Sequence, residues 1–295
     1  SIYYKDVIDN QSKWVWVGGT DIRATSNVNT AAETYSNTGT GLNNYVNAIN
    51  PFTSSFQVGS DGTNPNETNI AIGQLQTAVD LFKSPEDVDI SLVLTGLSRG
   101  GTNGTQWTNY LIDNIADVRK DCVVFTSPEK ADVVNNTGGE FNDVASFAGS
   151  LTPSSYAVVD SGWKYRYDKY NDVYRYTPLN GDIAGLCVRT DDIRDPWFSP
   201  AGYNRGIIKN VIKLPYNPDK ADRDHLYKNK VNPVITQPGQ GTLLFGDKTM
   251  LAKPSAFDRI NVRRLFIVLE KAIATAAKYT LFEFNDEFTR AQFRN

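Results

Sequence analysis

Three short apolar runs limit what this chain can fold into. Ile90 to Thr95, Cys122 to Thr126 and Tyr156 to Asp160 begin 32 and 34 residues apart. Each is too short for a core helix and too evenly apolar for a strand with one wet face, so each reads as a buried strand. Helical stripes separate them: Trp107, Leu111, Ile115 and Val118, then Phe141, Val144, Ala145 and Ala148. Another precedes them, Ala71, Leu75, Ala78, Val79 and Phe82, and Ser84-Pro85 ends it. Strands alternating with amphipathic helices at this interval predict right-handed βαβ crossovers and a parallel sheet.

The flanking sequence is read more coarsely. Residues 1 to about 65 are rich in Asn, Thr, Ser and Gly, which favour turns, and hold one clear strand, Trp14 to Val17. Trp163 to Tyr167 and Val173 to Tyr176, split by DKYND, predict an antiparallel hairpin. Ile183 to Val188 predicts a short helix, and Ile207 to Leu214 a strand stopped by Pro215. Val234 to Thr236 and Thr242 to Phe245 flank QPGQG, which is turn chemistry. The last element is a helix over residues 261–282, with Asn261 as N-cap. Its stripe of Leu265, Phe266, Leu269, Ala272, Ile273 and Ala276 is expected to face the core, with Ile267 and Val268 on a second side.

Composition closes off several function classes. Thirty basic and 33 acidic residues give a net charge of -3, which leaves no excess to neutralise a nucleic-acid backbone. Two distant cysteines, Cys122 and Cys187, and one histidine, His225, make neither a disulfide scaffold nor a usual zinc site, and fit a reducing compartment. No 18-residue apolar run exists, so no membrane-spanning helix is expected. No cofactor motif occurs. The chain opens on Ser1 and stops on Asn295, and is read as a piece of a longer protein.

One enzymatic pattern needs weighing. Gly96-Leu97-Ser98-Arg99-Gly100 spells G-x-S-x-G between a strand and a helix, and the order Ser98, Asp160 or Asp191, His225 is that of an α/β-hydrolase. Yet the pattern is short enough to recur by chance, and His225 sits in DKADRDHLYKNK, a charged stretch unlike the partly desolvated site of a general base. A carbohydrate-binding module using Trp163, Tyr165, Tyr167, Tyr174 and Tyr176 is a second rival. Asp191 and Asp192 form a carboxylate pair that fits capping or pairing with arginine better than catalysis. Arg263 and Arg264 oppose the dipole at the start of the long helix, so they are expected to have fixed carboxylate partners, in this chain or a neighbour.

Four segments carry a resemblance. They are DIAGLCVRTDDIRDPWFSPAG (Asp182 to Gly202), VNPVITQPGQGTLLFGDKTM (Val231 to Met250), INVRRLFIVLEKAI (Ile260 to Ile273) and LFEFNDEFTR (Leu281 to Arg290). In this order they are similar to the motifs of the contractile-phage tail sheath family. Phe245, Lys248 and Phe284 depart from its usual Trp, Arg and Pro.

The resemblance implies an α/β fold: a mixed sheet with parallel βαβ units and flanking helices, a subtilisin-like but non-catalytic sheath core, plus an α+β C-terminal part. It implies an irregular segment at 1–55 next to a missing or inserted outer domain, a core at 56–228 with a further cut open near 130–150, and the start of a C-terminal domain at 229–295. It implies a structural subunit, not an enzyme, that polymerises as stacked hexameric rings around a tail tube and contracts. Implied partners are other sheath subunits, the tube protein, and baseplate and terminator proteins, with no nucleic acid, membrane insertion or cofactor. The implied location is the virion tail, assembled in the bacterial host cytoplasm. The motif residues taken as structural or interface candidates are Asp191, Arg194, Asn232, Pro233, Gly239, Gly241, Arg263, Arg264, Glu270, Lys271, Asn285 and Asp286.

Overall fold

The computed structural model describes residues 71–294; the expected strand Trp14 to Val17 lies outside them. Helix α1 (Ile72–Asp80) leads to strand β1 (Leu92–Leu94), and α2 (Gly101–Leu111) follows. Then come a π-helical turn (Ile112–Ala116), α3 (Asp117–Arg119), β2 (Val123–Thr126), α4 (Lys130–Val133) and α5 (Glu140–Gly149). Strand β3 (Ala157–Asp160) precedes the hairpin β4 (Trp163–Asp168) and β5 (Val173–Pro178). Helices α6 (Asn180–Ile193) and α7 (Lys220–Lys228) come next, then β6 (Val231–Asn232), β7 (Val234–Gln237), β8 (Gly241–Leu244), α8 (Ile260–Ala277) and α9 (Glu287–Arg294).

The central sheet has the order β1-β2-β3-β6, and every pair is parallel. Its antiparallel companions, β4–β5 and β7–β8, are separate two-stranded sheets. Among the described residues the main sheet is therefore parallel, as the strand–helix pattern predicts, where the resemblance implied a mixed one. Residue 229, where the sequence reading begins a new domain, lies just before β6, a strand of this same sheet.

Helices on both sides of β2 and β3 bury all four residues of each strand. Leu111, Ile112, Phe125 and Ile183 are fully buried in the same cluster, where each contributes about 1.5–3 kcal/mol. Strand β1 is different. It is the edge strand of the described sheet, and Leu94 is exposed.

The stripe through α2 misleads at its end. One buried row runs Trp107, Leu111, Ile115 and Arg119, a period of four, beside a second of Thr108, Ile112 and Ala116, and Val118 points to solvent. An α-helix drifts about 40° over four residues. The wider π turn at Ile112–Ala116 takes up that drift and brings Arg119 inward in place of Val118. Arg119 then donates to the carbonyls of Phe82 (2.5 Å), Ser84 (2.9 Å) and Val88 (2.8 Å) and to both oxygens of Asp121 (2.8 Å each), fixing the approach to β1.

Three further expectations change. Residues 207–214 form no strand; only isolated bridges Ile207 to Leu243 and Lys213 to Tyr165 occur there. The short helix at 183–188 is a 14-residue helix, α6. The long helix ends at Ala277, its N-cap is Arg259, and its buried side is Ile260, Arg263, Arg264 and Ile267. Phe266, Leu269 and Ile273, expected in the core, face solvent.

Candidate functional site

The G-x-S-x-G loop has the strand–turn–helix setting its pattern requires, with Gly96 at φ 73° and Gly101 at φ 58° between β1 and α2. Ser98 Oγ is buried there without a hydrogen-bond partner. It borders a narrow crevice lined by Thr95, Trp107 and Phe147 with essentially no room for a water molecule, so it is not a small-molecule pocket. Its supposed partners are engaged elsewhere. Asp160, wholly buried, accepts from Ser127 Oγ (2.7 Å) and from the Gly162 amide (2.8 Å). Burial pushes its carboxyl up to about 8, against the pull of those two donors. Asp191 pairs with Arg264. His225, on α7, packs edge-on against the Phe141 ring, centroids 5.4 Å apart. No hydrogen bond joins Ser98, Asp160, Asp191 and His225 among the described residues, so the geometry assembles no nucleophile–base pair.

Ser127 belongs to a structural network instead. Its Oγ accepts from the Asn180 amide at the start of α6 (2.9 Å), and Asn180 Nδ2 donates to the Gly96 carbonyl (2.8 Å). The polar ends of β1, β2 and β3 are thus tied to one another and to α6. No spacing in the sequence marks Ser127 or Asn180 for this role.

The aromatic residues of the hairpin do not make a flat platform. Trp163 is buried and donates to the Pro128 carbonyl at 2.8 Å. The tyrosines pack on one another across the strands: Tyr165–Tyr176 at 4.8 Å with rings tilted 49°, Tyr167–Tyr174 at 5.0 Å tilted 47°. That is ordinary cross-strand packing.

The motif residues split into an inward and an outward set. Asn232 is fully buried; its Nδ2 donates to the carbonyls of Val159 (3.0 Å) and Lys248 (2.8 Å), and its Oδ1 accepts from the Lys248 amide (2.6 Å). Pro233 is buried beside it, and its carbonyl accepts from the Phe245 amide at 2.8 Å. Arg264 reaches Asp191, the carboxylate partner the sequence called for, and the Cys187 carbonyl. Arg263 has no such ion pair among the described residues. Its guanidinium lies 4.2 Å from the ring centres of both Tyr156 and Phe257 and donates to the Tyr156 hydroxyl at 3.0 Å. Lys271, half-buried, binds the segment entering β1.

The outward set is Arg194, Gly239, Gly241, Glu270, Asn285 and Asp286. Arg194 ends α6. Gly239, at φ 75°, follows Pro238 in a turn closed by the Gln240 amide on the Gln237 carbonyl (3.1 Å), the proline–glycine order of a type II turn. Asp286 caps α9 by accepting from the Thr289 amide at 2.7 Å, which holds its carboxyl below the usual range. Asn285 accepts from Arg290 at 3.5 Å. Among the described residues no group of acidic, His or Cys side chains could hold a metal ion, and no helix is long and apolar enough to cross a membrane.

With this geometry in place, comparisons with known proteins are specific. Residues 102–250 match the family model described as phage tail sheath protein central domain. The chain is 44% identical over 247 residues to the tail sheath protein of Vibrio phage KVP40, covering 78% of this chain and 36% of that one. It is 45% identical over 236 residues to the tail sheath protein of Enterobacteria phage T4, covering 76% and 36%. The chain therefore spans about a third of the length of these curated relatives. Among solved structures, the helical sheath of the anti-feeding prophage in its contracted state aligns with a TM-score of 0.56 at 19% identity, over 76% of this chain and 56% of that one. The sheath complex of an extracellular contractile injection system, also contracted, aligns at 0.56 with 20% identity, over 74% and 56%. At these identities the structural likeness speaks to fold.

Proposed function

The chain belongs to the phage tail sheath protein family, and from that premise we propose that it is the central portion of a structural subunit of a contractile tail. The subunit polymerises as stacked hexameric rings around a tail tube, and contraction of the stack drives the tube through the host envelope. Its partners are other copies of itself, the tube protein, and the baseplate and terminator proteins; it works in the virion tail after assembly in the host cytoplasm. The observation that carries this reading is 44% identity to a tail sheath protein over 247 residues, covering 78% of this chain. The engaged positions of Asp160, Asp191 and His225 support a non-catalytic role.

The parallel sheet flanked by helices is the core of each subunit, subtilisin-like in layout, and residues 229–295 begin the family's C-terminal module. The outward motif residues Arg194, Gly239, Gly241, Glu270, Asn285 and Asp286 are the positions proposed to meet neighbouring subunits. The inward ones, Asn232, Pro233, Arg263 and Arg264, hold the fold. Electron microscopy of the full-length protein tests the reading: tubes or polysheaths are expected, while the 295-residue chain stays monomeric by analytical ultracentrifugation. A full-length protein that remains a monomer at high concentration overturns it.

A further inference from the structure

Helix α8 is fixed to the body along only half of its length. All four of its buried residues, Ile260, Arg263, Arg264 and Ile267, lie in its first eight positions. Residues 268–277 contain no buried side chain, although ten helical residues extend about 15 Å. This second half carries Leu269 and Ile273 on an apolar stripe open to solvent.

One side chain of that half reaches far across the fold. Lys271 Nζ donates to Asp89 Oδ1 (2.5 Å), the Ile90 carbonyl (3.0 Å) and Ser91 Oγ (3.4 Å), three consecutive residues entering β1. It also lies 3.9 Å from Asp121 Oδ2, the carboxylate that Arg119 grips. The three donor positions of an ammonium group are thus directed at one short segment. The contact holds the Asp89 carboxyl below its usual range, chiefly through the Lys271 hydrogen bond. The Asp89 side chain is 80% exposed, so the pair sits at the surface, where water can replace it.

We propose that Lys271 is a latch: a positioning residue that sets the second half of α8 against the segment entering β1, separately from the packing that fixes the first half. The helix then has a rooted segment, 260–267, and a latched arm, 268–277. Opening the latch frees the arm and its apolar stripe without disturbing the core. The Glu270-Lys271 pair singled out in the sequence thereby divides its labour: Glu270 faces solvent and Lys271 faces the body.

Hydrogen exchange on the 295-residue chain tests this, comparing wild type with Lys271→Met, which keeps the unbranched stem and removes the ammonium group. The expected result is amide exchange about tenfold faster in residues 268–277, unchanged exchange in 260–267, and an unchanged thermal midpoint for the body. Lys271→Arg should restore protection. Asp89→Ala, at an exposed position, should give the same pattern at smaller amplitude from the other side of the contact, since the Ile90 carbonyl and Ser91 still accept. Two results overturn the proposal: equal acceleration across 260–277, which is a plain loss of helix stability, or full protection of 268–277 in both variants.

Discussion

Two residues of α8, only two positions apart, should respond very unequally to truncation. Ile267 is 5% exposed, and Leu269 is 44% exposed. Ile267→Ala removes buried carbon and leaves a hole bounded by the core, so the transfer and cavity contributions both apply, about 2–5 kcal/mol. Leu269→Ala borders solvent. It leaves no closed cavity, and only about half of a leucine's ~1.5–3 kcal/mol of burial was present to lose. Alanine's better helix propensity returns a few tenths of a kcal/mol, so the net cost should stay under about 1 kcal/mol. At a urea dependence of about 3 kcal/mol per molar, the upper end that a chain of this size should show, Ile267→Ala should lower the unfolding midpoint by about 0.7 M or more. Leu269→Ala should lower it by no more than a few tenths of a molar, in the same equilibrium experiment. If the two variants shift the midpoint equally, the faces of α8 have been assigned wrongly and the sequence expectation of a core-facing Leu269 is restored.

Arg263→Ala should cost about 3–5 kcal/mol, since it removes two ring contacts, a hydrogen bond and a buried stem together; Arg263→Met, which keeps the stem, should cost less than half as much by thermal unfolding. Asp160 makes stability depend on pH. Its folded carboxyl titrates near 8 and its unfolded one near 3.8, so its contribution is complete at acid pH and is lost as pH rises between those values. The slope from this one group is at most about 1.4 kcal/mol per pH unit. Asp160→Asn should therefore flatten the stability profile from pH 5 to 9; a profile as steep as wild type assigns the effect elsewhere. Ser98→Ala should leave fold and assembly unchanged, and a phosphonate probe should fail to label Ser98; stoichiometric labelling would show a working nucleophile.

The parallel sheet was legible because its strands and helices obey the simplest periods. Val123 and Val158 are apolar because both faces of their strands are covered, and the 32- and 34-residue intervals leave room for a helical crossover each. What could not be read was orientation where two faces of one helix are apolar. Leu269 and Ile267 look alike in the sequence, and only the packing of the first half of α8 against the body chooses between them. Val118 was lost to a single wide turn, which no local residue announces. Residues 207–214 alternate well enough for a strand but find only single bridges to Tyr165 and Leu243. In the candidate site, charge placement called for carboxylate partners of the two arginines, and Arg264 has one in Asp191. Arg263 does not, because two aromatic rings and a hydroxyl fill the place a carboxylate was expected to take.

The sheet is also finished late. Val231 of β6 pairs with Val159 of β3, 72 residues earlier in the chain (231 − 159). At about 5–20 residues per second of synthesis, β3 therefore waits roughly 4–14 s for its neighbour. During that time Asn232 is not yet in place to bind the Val159 carbonyl, and the outer side of β3 is a bare edge on a sheet that already contains β1 and β2. A cell making many copies at once holds many such edges together. The interval between β3 and β6 is thus when nascent chains are most exposed to pairing with the wrong strand, and lengthening that interval with slow codons over residues 161–230 should raise the aggregated fraction more than the same codons placed after residue 232.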